Sequence, residues 1–136
     1  MIIKTAGPDE RNFFLSSIIK NYINYQEISL RQTEHKEEAI QAFGKWIKEE
    51  AVKDGFEMVY YNDGETDEIL SYVAYNSTDK MIHFVYTKSA YRGHKLAMKL
   101  CDVLPIQGFF FHTIFHPLAT ISFQRRYKLS YKPELS

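Results

Sequence analysis

The chain has 136 residues, of which 45% are hydrophobic and 25% charged, and its 17 basic and 17 acidic side chains give a formal net charge of zero. This length and composition favour one globular domain with its own hydrophobic core. The lack of a basic excess argues against a nucleic-acid partner. No apolar run approaches the roughly 18 residues of a membrane span, and residues 1–10 lack the pattern of a signal peptide.

Cys101 is the only cysteine. A single cysteine excludes an intrachain disulfide and a thiolate metal site, and it favours a reducing, cytoplasmic setting. Because Cys101 falls on the apolar face of a predicted helix, we expect a buried structural thiol.

The first part of the chain predicts one short strand and two helices. Residues Ile2–Thr5 are typical of a strand, and the turn at residues 7–10 begins a helix. The apolar side chains at helical spacing in this first helix are Phe13, Phe14, Ile18, Ile19, Tyr22 and Ile23. A second apolar stripe, which includes Trp46 as a core residue, predicts a helix over about Glu34–Lys53, and Gly55 fits its end.

The middle of the chain predicts three strands, at Phe56–Tyr61, Glu68–Tyr75 and Met81–Thr87. Residues 62–64 and 76–80 are the turns between them. Turns this short favour an antiparallel meander.

The last part predicts a helix, a strand and a second helix. Helical spacing begins at Leu96, and Pro105 ends that helix. The apolar run Phe109–Phe115 is typical of a central strand buried on both faces. A last helix is predicted over about Ala119–Lys128, followed by a tail at residues 131–136. The order of elements predicts an α/β fold with a mixed sheet.

The segment between the third strand of the meander and the next helix is the most informative for function. Residues Val85–Thr87 end a strand, and Arg92–Ala97 open a helix with basic side chains at its start. A helix N-terminus presents unpaired N–H groups and a partial positive charge, so it favours a phosphate or pyrophosphate. Gly93 and Ala97 let the backbone approach such a ligand closely.

This segment resembles the acetyl-CoA motif of the GNAT superfamily of N-acetyltransferases, in which a strand is followed by Arg/Gln-x-x-Gly-x-Gly/Ala at a helix start. The resemblance implies a single GNAT-like domain over residues 1–136, with a mixed, mostly antiparallel central sheet flanked by helices. It also implies acetyl-CoA as acyl donor. The implied cofactor-binding residues are Val85, Tyr86, Thr87, Arg92, Gly93, His94, Lys95, Leu96 and Ala97.

By this resemblance, the backbone N–H groups of Arg92–Ala97 would hold the pyrophosphate. The backbone of Val85 and Thr87 would pair with the pantetheine arm and polarise the thioester carbonyl. Within the superfamily the sequence most resembles small bacteriophage proteins, loosely over most of the chain and well over residues 69–101.

Two departures from the family pattern bear on activity. Lys95 stands where the family loop has its central glycine, and a side chain there could crowd the pyrophosphate or help to bind it. The family ends on Tyr-x-x-x-Gly-Phe, whose tyrosine often protonates the leaving thiolate. Here Arg126 occupies that tyrosine position and Tyr127 lies one residue away.

Acyl transfer to an amine needs a base with a pKa near the working pH. His83 is the predicted base, because strict strand alternation would place it on the same face as Val85; a partly buried structural histidine is the alternative. Tyr127 is the predicted acid, with packing as the alternative. His112 and His116 could also enter the cleft, but they offer too few ligands in sequence for a metal site.

Two further features favour plain structural interpretations. Glu68 lies near the expected cleft, and an exposed turn acid is the favoured interpretation. The basic cluster at residues 124–128 is interpreted as a solvated helix face, although it could neutralise an acidic partner.

The sequence therefore predicts an N-acyltransferase that moves an acetyl group from acetyl-CoA to a primary amine of a small molecule or protein. The helices over Phe13–Ala51 should flank an aromatic-lined acceptor cleft. The alternative is an inactive GNAT-like binding protein, phage-encoded, that acts on a host or virion partner. GNAT-like domains often dimerise, so the resemblance also allows a homodimer. The cysteine usage and the lack of a long apolar run predict a cytoplasmic protein, in the host if the chain is viral, with no membrane partner.

Overall fold

The computed structural model describes residues 2–22, 36–65, 68–88, 96–111 and 121–131. The elements are β1 (Ile2–Thr5), α1 (Pro8–Tyr22), α2 (Lys36–Ala51), β2 (Phe56–Asn62), β3 (Ile69–Asn76), β4 (Met81–Thr87), α3 (Leu96–Asp102), β5 (Phe110–Phe111), α4 (Ile121–Tyr127) and β6 (Ser130–Tyr131). The predicted order of elements is confirmed, and β6 is an addition to it. None of the helices in the described ranges is both long and apolar enough to cross a membrane.

The six strands form one sheet in which their spatial order is their chain order. Strands β1 to β4 pair antiparallel, whereas β5 joins β4 and β6 joins β5 in parallel. Short turns join β2, β3 and β4 and therefore make them antiparallel, while the longer connection through α3 permits a parallel crossover. The predicted mixed, mostly antiparallel sheet with flanking helices is confirmed.

Helices cover both faces of the sheet. The α1/α2 core lies between the sheet and the first two helices, and its buried members include Phe14, Ile18, Phe43, Ile47, Tyr72 and Phe84. The α3/α4 core lies on the opposite face, and its buried members include Ile82, Val85, Leu100, Cys101, Phe123 and Tyr127. The predicted buried thiol is confirmed, and burial, followed by the nearby Asp102 charge, raises the pKa of Cys101 to about 12.

Strand β4 contains a β-bulge at His83. Ala74 pairs with Phe84 and Tyr75 pairs with Ile82, so His83 is an extra residue of β4 relative to β3. A bulge bends its strand and interrupts the alternation of side chains. His83 therefore points to the α1/α2 core, as Phe84 does, while Val85 lies in the α3/α4 core. The prediction that His83 and Val85 share a face is wrong for this reason.

The end of the chain differs from the sequence-based expectation in three respects. Helix α3 ends at Asp102, before Pro105. Tyr131, expected in a tail, belongs to β6, where the Ser130 amide donates to the Phe109 carbonyl at 3.1 Å.

The third difference concerns burial of the apolar run Phe109–Phe115. Phe109 and Phe111 lie in the α3/α4 core, so Phe110 points to the other face and is 37% exposed. The prediction of a strand buried on both faces is therefore wrong at Phe110. Residues 112–115 lie outside the described part of the chain.

The turn after α2 requires a glycine at position 55. Gly55 has a φ of 88°, and a Cβ placed there would lie 2.8 Å from the backbone nitrogen of Thr78. The buried Asn76 side chain connects the same two turns, because its amide donates to the Asp54 carbonyl and its oxygen accepts from the Thr78 amide. The α2–β2 turn is thus packed against the β3–β4 turn without space for a side chain.

We expect Gly55→Ala to lower the free energy of unfolding more than Gly108→Ala does. Both glycines have positive φ, 88° and 76°, so both substitutions incur the about 1–2 kcal/mol cost of a side chain in the left-handed region. Only Gly55→Ala adds a clash, since no described atom lies within 4 Å of a Cβ at Gly108. Urea denaturation of both variants measures the difference, and equal losses would contradict the tight packing at Thr78.

Candidate active site

The predicted cofactor segment begins at the C-terminal end of β4. Val85 is fully buried in the α3/α4 core, Tyr86 is half-buried on the opposite face, and Thr87 is buried at 8% exposure. The motif residues Arg92, Gly93, His94 and Lys95 lie outside the described part of the chain. Leu96 and Ala97, where α3 begins, are both buried.

Side-chain hydrogen bonds to β3 fix this end of β4. The Ser71 hydroxyl donates to the Tyr86 carbonyl at 2.7 Å and lies 3.1 Å from the Thr87 hydroxyl. The Lys88 amide donates to the Leu70 carbonyl at 2.9 Å. Because Ser71 is fully buried, these bonds are shielded from water and hold the backbone of residues 86–88 in one position.

His83 lies beneath α2 at 2% exposure. Its ring packs edge-on against Trp46, with centroids 5.5 Å apart, and lies 5.8 Å from the Phe56 ring. Nε2 is 3.9 Å from a carboxylate oxygen of the buried Glu50, which Lys53 contacts at 2.8 Å. These contacts fit the structural interpretation of His83, and its catalytic role stays a prediction.

Tyr127 joins α4 to α3. Its hydroxyl lies 2.7 Å from an Asp102 carboxylate oxygen and 2.9 Å from the Met98 carbonyl. Arg126 donates two N–H groups to the same carboxylate, at 3.0 and 2.7 Å. Burial, followed by the Asp102 hydrogen bond, raises the pKa of Tyr127 well above its ordinary value. The hydroxyl holds its proton tightly in this arrangement, and its role as proton donor stays a prediction.

A cavity of about 330 Å³ lies on the opposite face of the sheet, between α1 and the paired ends of β3 and β4. It is lined by Phe13, Phe14, Ser17, Glu68, Ile69, Tyr72, Tyr86 and Lys88. The Tyr72 ring lies 5.2 Å from both the Phe14 and the Tyr86 rings, and its hydroxyl is 3.1 Å from that of Ser17. An aromatic-lined cavity of the predicted kind is therefore present beside the first helix.

One wall of this cavity carries an ion pair. The Glu68 carboxylate contacts the Lys88 ammonium directly, and the two side chains are 34% and 44% exposed. Glu68 immediately precedes β3 and Lys88 immediately follows β4, so antiparallel pairing brings the two together. Glu68 is thus a half-buried wall residue of the cavity, where the sequence had favoured an exposed turn acid.

Sequence reasoning missed Ser17, Tyr72 and Lys88 as lining residues. The signal for Tyr72 was its place in the predicted meander, because it is the cross-strand partner of Tyr86. The hydrogen bonds of Asp102 had no signal in the sequence, since they depend on how α4 packs against α3.

The other candidate residues from the sequence are the basic cluster at residues 124–128 and two histidines. Arg125 and Lys128 are exposed, as expected of a solvated helix face. His112 and His116 lie outside the described residues. Within the described ranges, no three or more histidine, cysteine, aspartate or glutamate side chains are grouped so as to hold a metal ion.

No protein-family model matches the chain, and no curated protein shows significant sequence similarity to it. Among solved structures, the chain is similar to an acetyltransferase from Vibrio fischeri, with 13% sequence identity and a TM-score of 0.43. The overlap covers 75% of this chain and 81% of that chain. A likeness at this level transfers no activity or residue role, and the comparisons do not support the resemblance to bacteriophage proteins.

We expect Asp102→Asn to lower the free energy of unfolding at pH 7 by about 1 kcal/mol, a modest loss because the carboxylate is partly exposed to solvent. Hydrogen bonds from Arg126, and next from Tyr127, lower the pKa of Asp102 in the folded protein. The stabilisation is therefore complete above the unfolded pKa of about 3.9 and is lost as the pH falls through the lower, folded value.

Urea denaturation at pH 7 and near pH 2 tests this expectation. The difference between wild type and Asp102→Asn should shrink at the lower pH. The control is Glu49→Gln on the exposed face of α2, which should change stability little. A pH-independent difference at Asp102 would contradict the contribution of its charge.

Proposed function

We propose that the chain is a GNAT-type N-acyltransferase that moves an acetyl group from acetyl-CoA to a primary amine. The observation that carries the proposal is the unit formed by β4 and α3, on which the sequence motif lies. Val85 faces α3, while the next residue, Tyr86, lines the aromatic cavity. One short stretch of strand thus separates the predicted cofactor side from a cavity that can hold an acceptor.

The described residues fit a cofactor bound along the end of β4. The backbone there is fixed by Ser71, and α3, which carries the last two residues of the motif, packs against Val85 of β4. The proposed ligands of the pyrophosphate are the backbone N–H groups of Arg92–Ala97, most of which lie outside the described residues. Acetyl-CoA would supply the acetyl group as a thioester.

The proposed reaction is a direct attack by the neutral amine. The amine nitrogen forms a bond to the thioester carbonyl carbon, the carbon–sulfur bond breaks, and a base takes the proton that the nitrogen loses. The sulfur leaves with the bonding electron pair and takes up a proton. His83 is the proposed base and Tyr127 the proposed proton donor, and Glu68 competes with His83 because it faces the cavity.

Both proposed catalytic side chains must change partners to act. The Tyr127 hydroxyl would have to exchange its bonds to Asp102 and the Met98 carbonyl for one to sulfur. The His83 ring would need a route for a proton past Trp46 or along Glu50.

Because His83 and Tyr127 are both held in structural contacts, a second candidate function is favoured, a GNAT-like binding protein without turnover. Such a protein would act on a host or virion partner if the chain is phage-encoded. Lys95 in place of the family's glycine points the same way. A fold by itself does not fix function, so retained affinity for acetyl-CoA separates the two candidates.

We expect calorimetric titration of acetyl-CoA into the protein to show micromolar binding, weakened about tenfold or more by Arg92→Glu. The reason is that a negative charge within the segment proposed to hold the pyrophosphate opposes its binding. Arg125→Glu is the matched control, because it makes the same charge change at an exposed position of α4. No heat at millimolar acetyl-CoA would contradict the enzyme and favour the binding protein.

If His83 is the base, His83→Gln should lower kcat about 100-fold or more and remove the acidic limb of the pH–rate profile. Glu68→Gln should then keep most of the kcat measured at saturating acceptor. Acetyl-CoA affinity, measured alongside, shows that each variant is folded. A large loss in Glu68→Gln with little loss in His83→Gln would transfer the role of base to Glu68.

A further inference from the structure

We infer that the aromatic cavity binds a small aromatic α-amino acid, with its ammonium on Glu68, its carboxylate on Lys88 and its ring among the aromatic side chains. That this amino acid is the acyl acceptor rests on the function proposed above. The binding itself does not, because it can be measured without acetyl-CoA.

The floor of the cavity is suited to a flat apolar group. Phe14 and Tyr72 are 0% and 1% exposed, so they are core residues that support the floor from beneath. The half-buried Tyr86 and the exposed Phe13 supply the aromatic surface that a ligand can reach. Tyr72 and Tyr86 are stacked, and Phe14 meets Tyr72 edge-on. A further ring can join such a group in the offset or edge-on arrangements that aromatic side chains prefer.

Phe13 lies at the mouth of the cavity with 63% of its surface exposed. Its ring is 5.7 Å from that of Phe14, at an interplanar angle of 75°. An apolar ligand on the cavity floor would therefore cover part of an aromatic surface that is otherwise in water.

The charges of the wall select the head group of the ligand. Among the described residues that line the cavity, Glu68 is the only acid and Lys88 the only base, and they contact each other. A ligand with a single charge that separated this pair would give a new ionic partner to only one of the two side chains. A zwitterion replaces both, because its ammonium pairs with Glu68 and its carboxylate with Lys88. The two groups are separated by one carbon in an α-amino acid, which suits two side chains that already touch.

The same charges argue against a protein as the acceptor. At the N-terminus of a peptide or protein, an amide replaces the α-carboxylate. A lysine side chain has no carboxylate beside its amine. In both cases the ligand would offer Lys88 no ionic partner. A volume of about 330 Å³ lies at the small end of ligand sites. One amino acid therefore suits the cavity better than a peptide segment does.

The position of the head group agrees with acyl transfer. Lys88 directly follows Thr87, whose backbone is a predicted contact of the pantetheine arm, and the Lys88 amide is held by the Leu70 carbonyl. An amine at Glu68 would lie at this end of β4, beside Lys88, the residue that follows the predicted thioester contact at Thr87.

The test is a calorimetric titration, without acetyl-CoA, of L-phenylalanine, phenethylamine and 3-phenylpropionate. The last two compounds lack the carboxylate and the amine, respectively. We expect L-phenylalanine to bind at least tenfold more tightly than either. Equal affinity for phenethylamine, or no binding of L-phenylalanine at millimolar concentration to folded protein, would overturn the inference.

Variants assign the binding to this cavity. Lys88→Met should weaken L-phenylalanine about tenfold or more and leave phenethylamine little changed or tighter, whereas Glu68→Gln should weaken both. Lys80→Met and Glu65→Gln are the controls, since both residues are exposed and neither lines the cavity. Phe13→Ala, at a position too exposed to be needed for folding, should also weaken L-phenylalanine. Unchanged affinity in Lys88→Met and Phe13→Ala would overturn the assignment.

Acetyl-CoA titration keeps this inference separate from the proposed function. Binding of acetyl-CoA without binding of L-phenylalanine would overturn the inference and leave the acyltransferase intact. Binding of L-phenylalanine without acetyl-CoA would support the cavity and contradict the acyltransferase. If both bind, mass spectrometry of the mixture should show N-acetylphenylalanine, and its absence would overturn the acceptor role.

Discussion

The extra residue in β4 determines which side chains reach each face of the sheet. Because His83 is a bulge, Phe84 and Tyr86 point to the α1/α2 core, and Val85 points to the α3/α4 core. If His83 joined the ladder as an ordinary residue, the side chains of residues 84–87 would all change face. Tyr86 would leave the cavity and Val85 would leave α3. The contacts of His83 with Trp46 and Phe56 therefore stabilise the bulge, and with it the faces to which the side chains of residues 84–87 point.

The cavity and the core share the same side chains, which makes the cavity rigid. Phe14 and Tyr72 belong to the α1/α2 core and lie directly beneath the cavity floor. The buried Tyr72 hydroxyl has Ser17 within hydrogen-bonding distance, so its burial costs little. A surface that is ordered before a ligand arrives loses little conformational entropy on binding. Phe13 at the mouth is 63% exposed and lies outside this core.

The strands could be predicted well from the sequence because alternating apolar residues and short turns are local signals. Strands β1 and β4 begin and end at the predicted residues. The bulge could not be predicted, since it is defined by how Ala74 and Tyr75 pair with β4. Strand β6 has two residues and no periodicity of its own, so only its contact with β5 reveals it.

The candidate site was predictable only where its residues are adjacent in the sequence, because sequence patterns report local structure. Tyr86 lies within a motif that is continuous in sequence, but the motif marked it as a cofactor contact, and its place in the cavity follows from its pairing with Tyr72. The pairing of Glu68 with Lys88 could not be predicted, because it requires two strand ends to meet in space. Likewise the burial of Tyr127 against Asp102 depends on helix packing, which no local pattern encodes.

The contact between Trp46 and His83 also provides an intrinsic optical probe. Trp46 is the only tryptophan of the chain, and its ring meets the imidazole edge-on at 5.5 Å. A protonated imidazole quenches indole emission at short range far more than a neutral one does. The fluorescence of the unlabelled protein should therefore depend on the charge of His83. It should also change if the bulge in β4 that holds His83 beside Trp46 is lost.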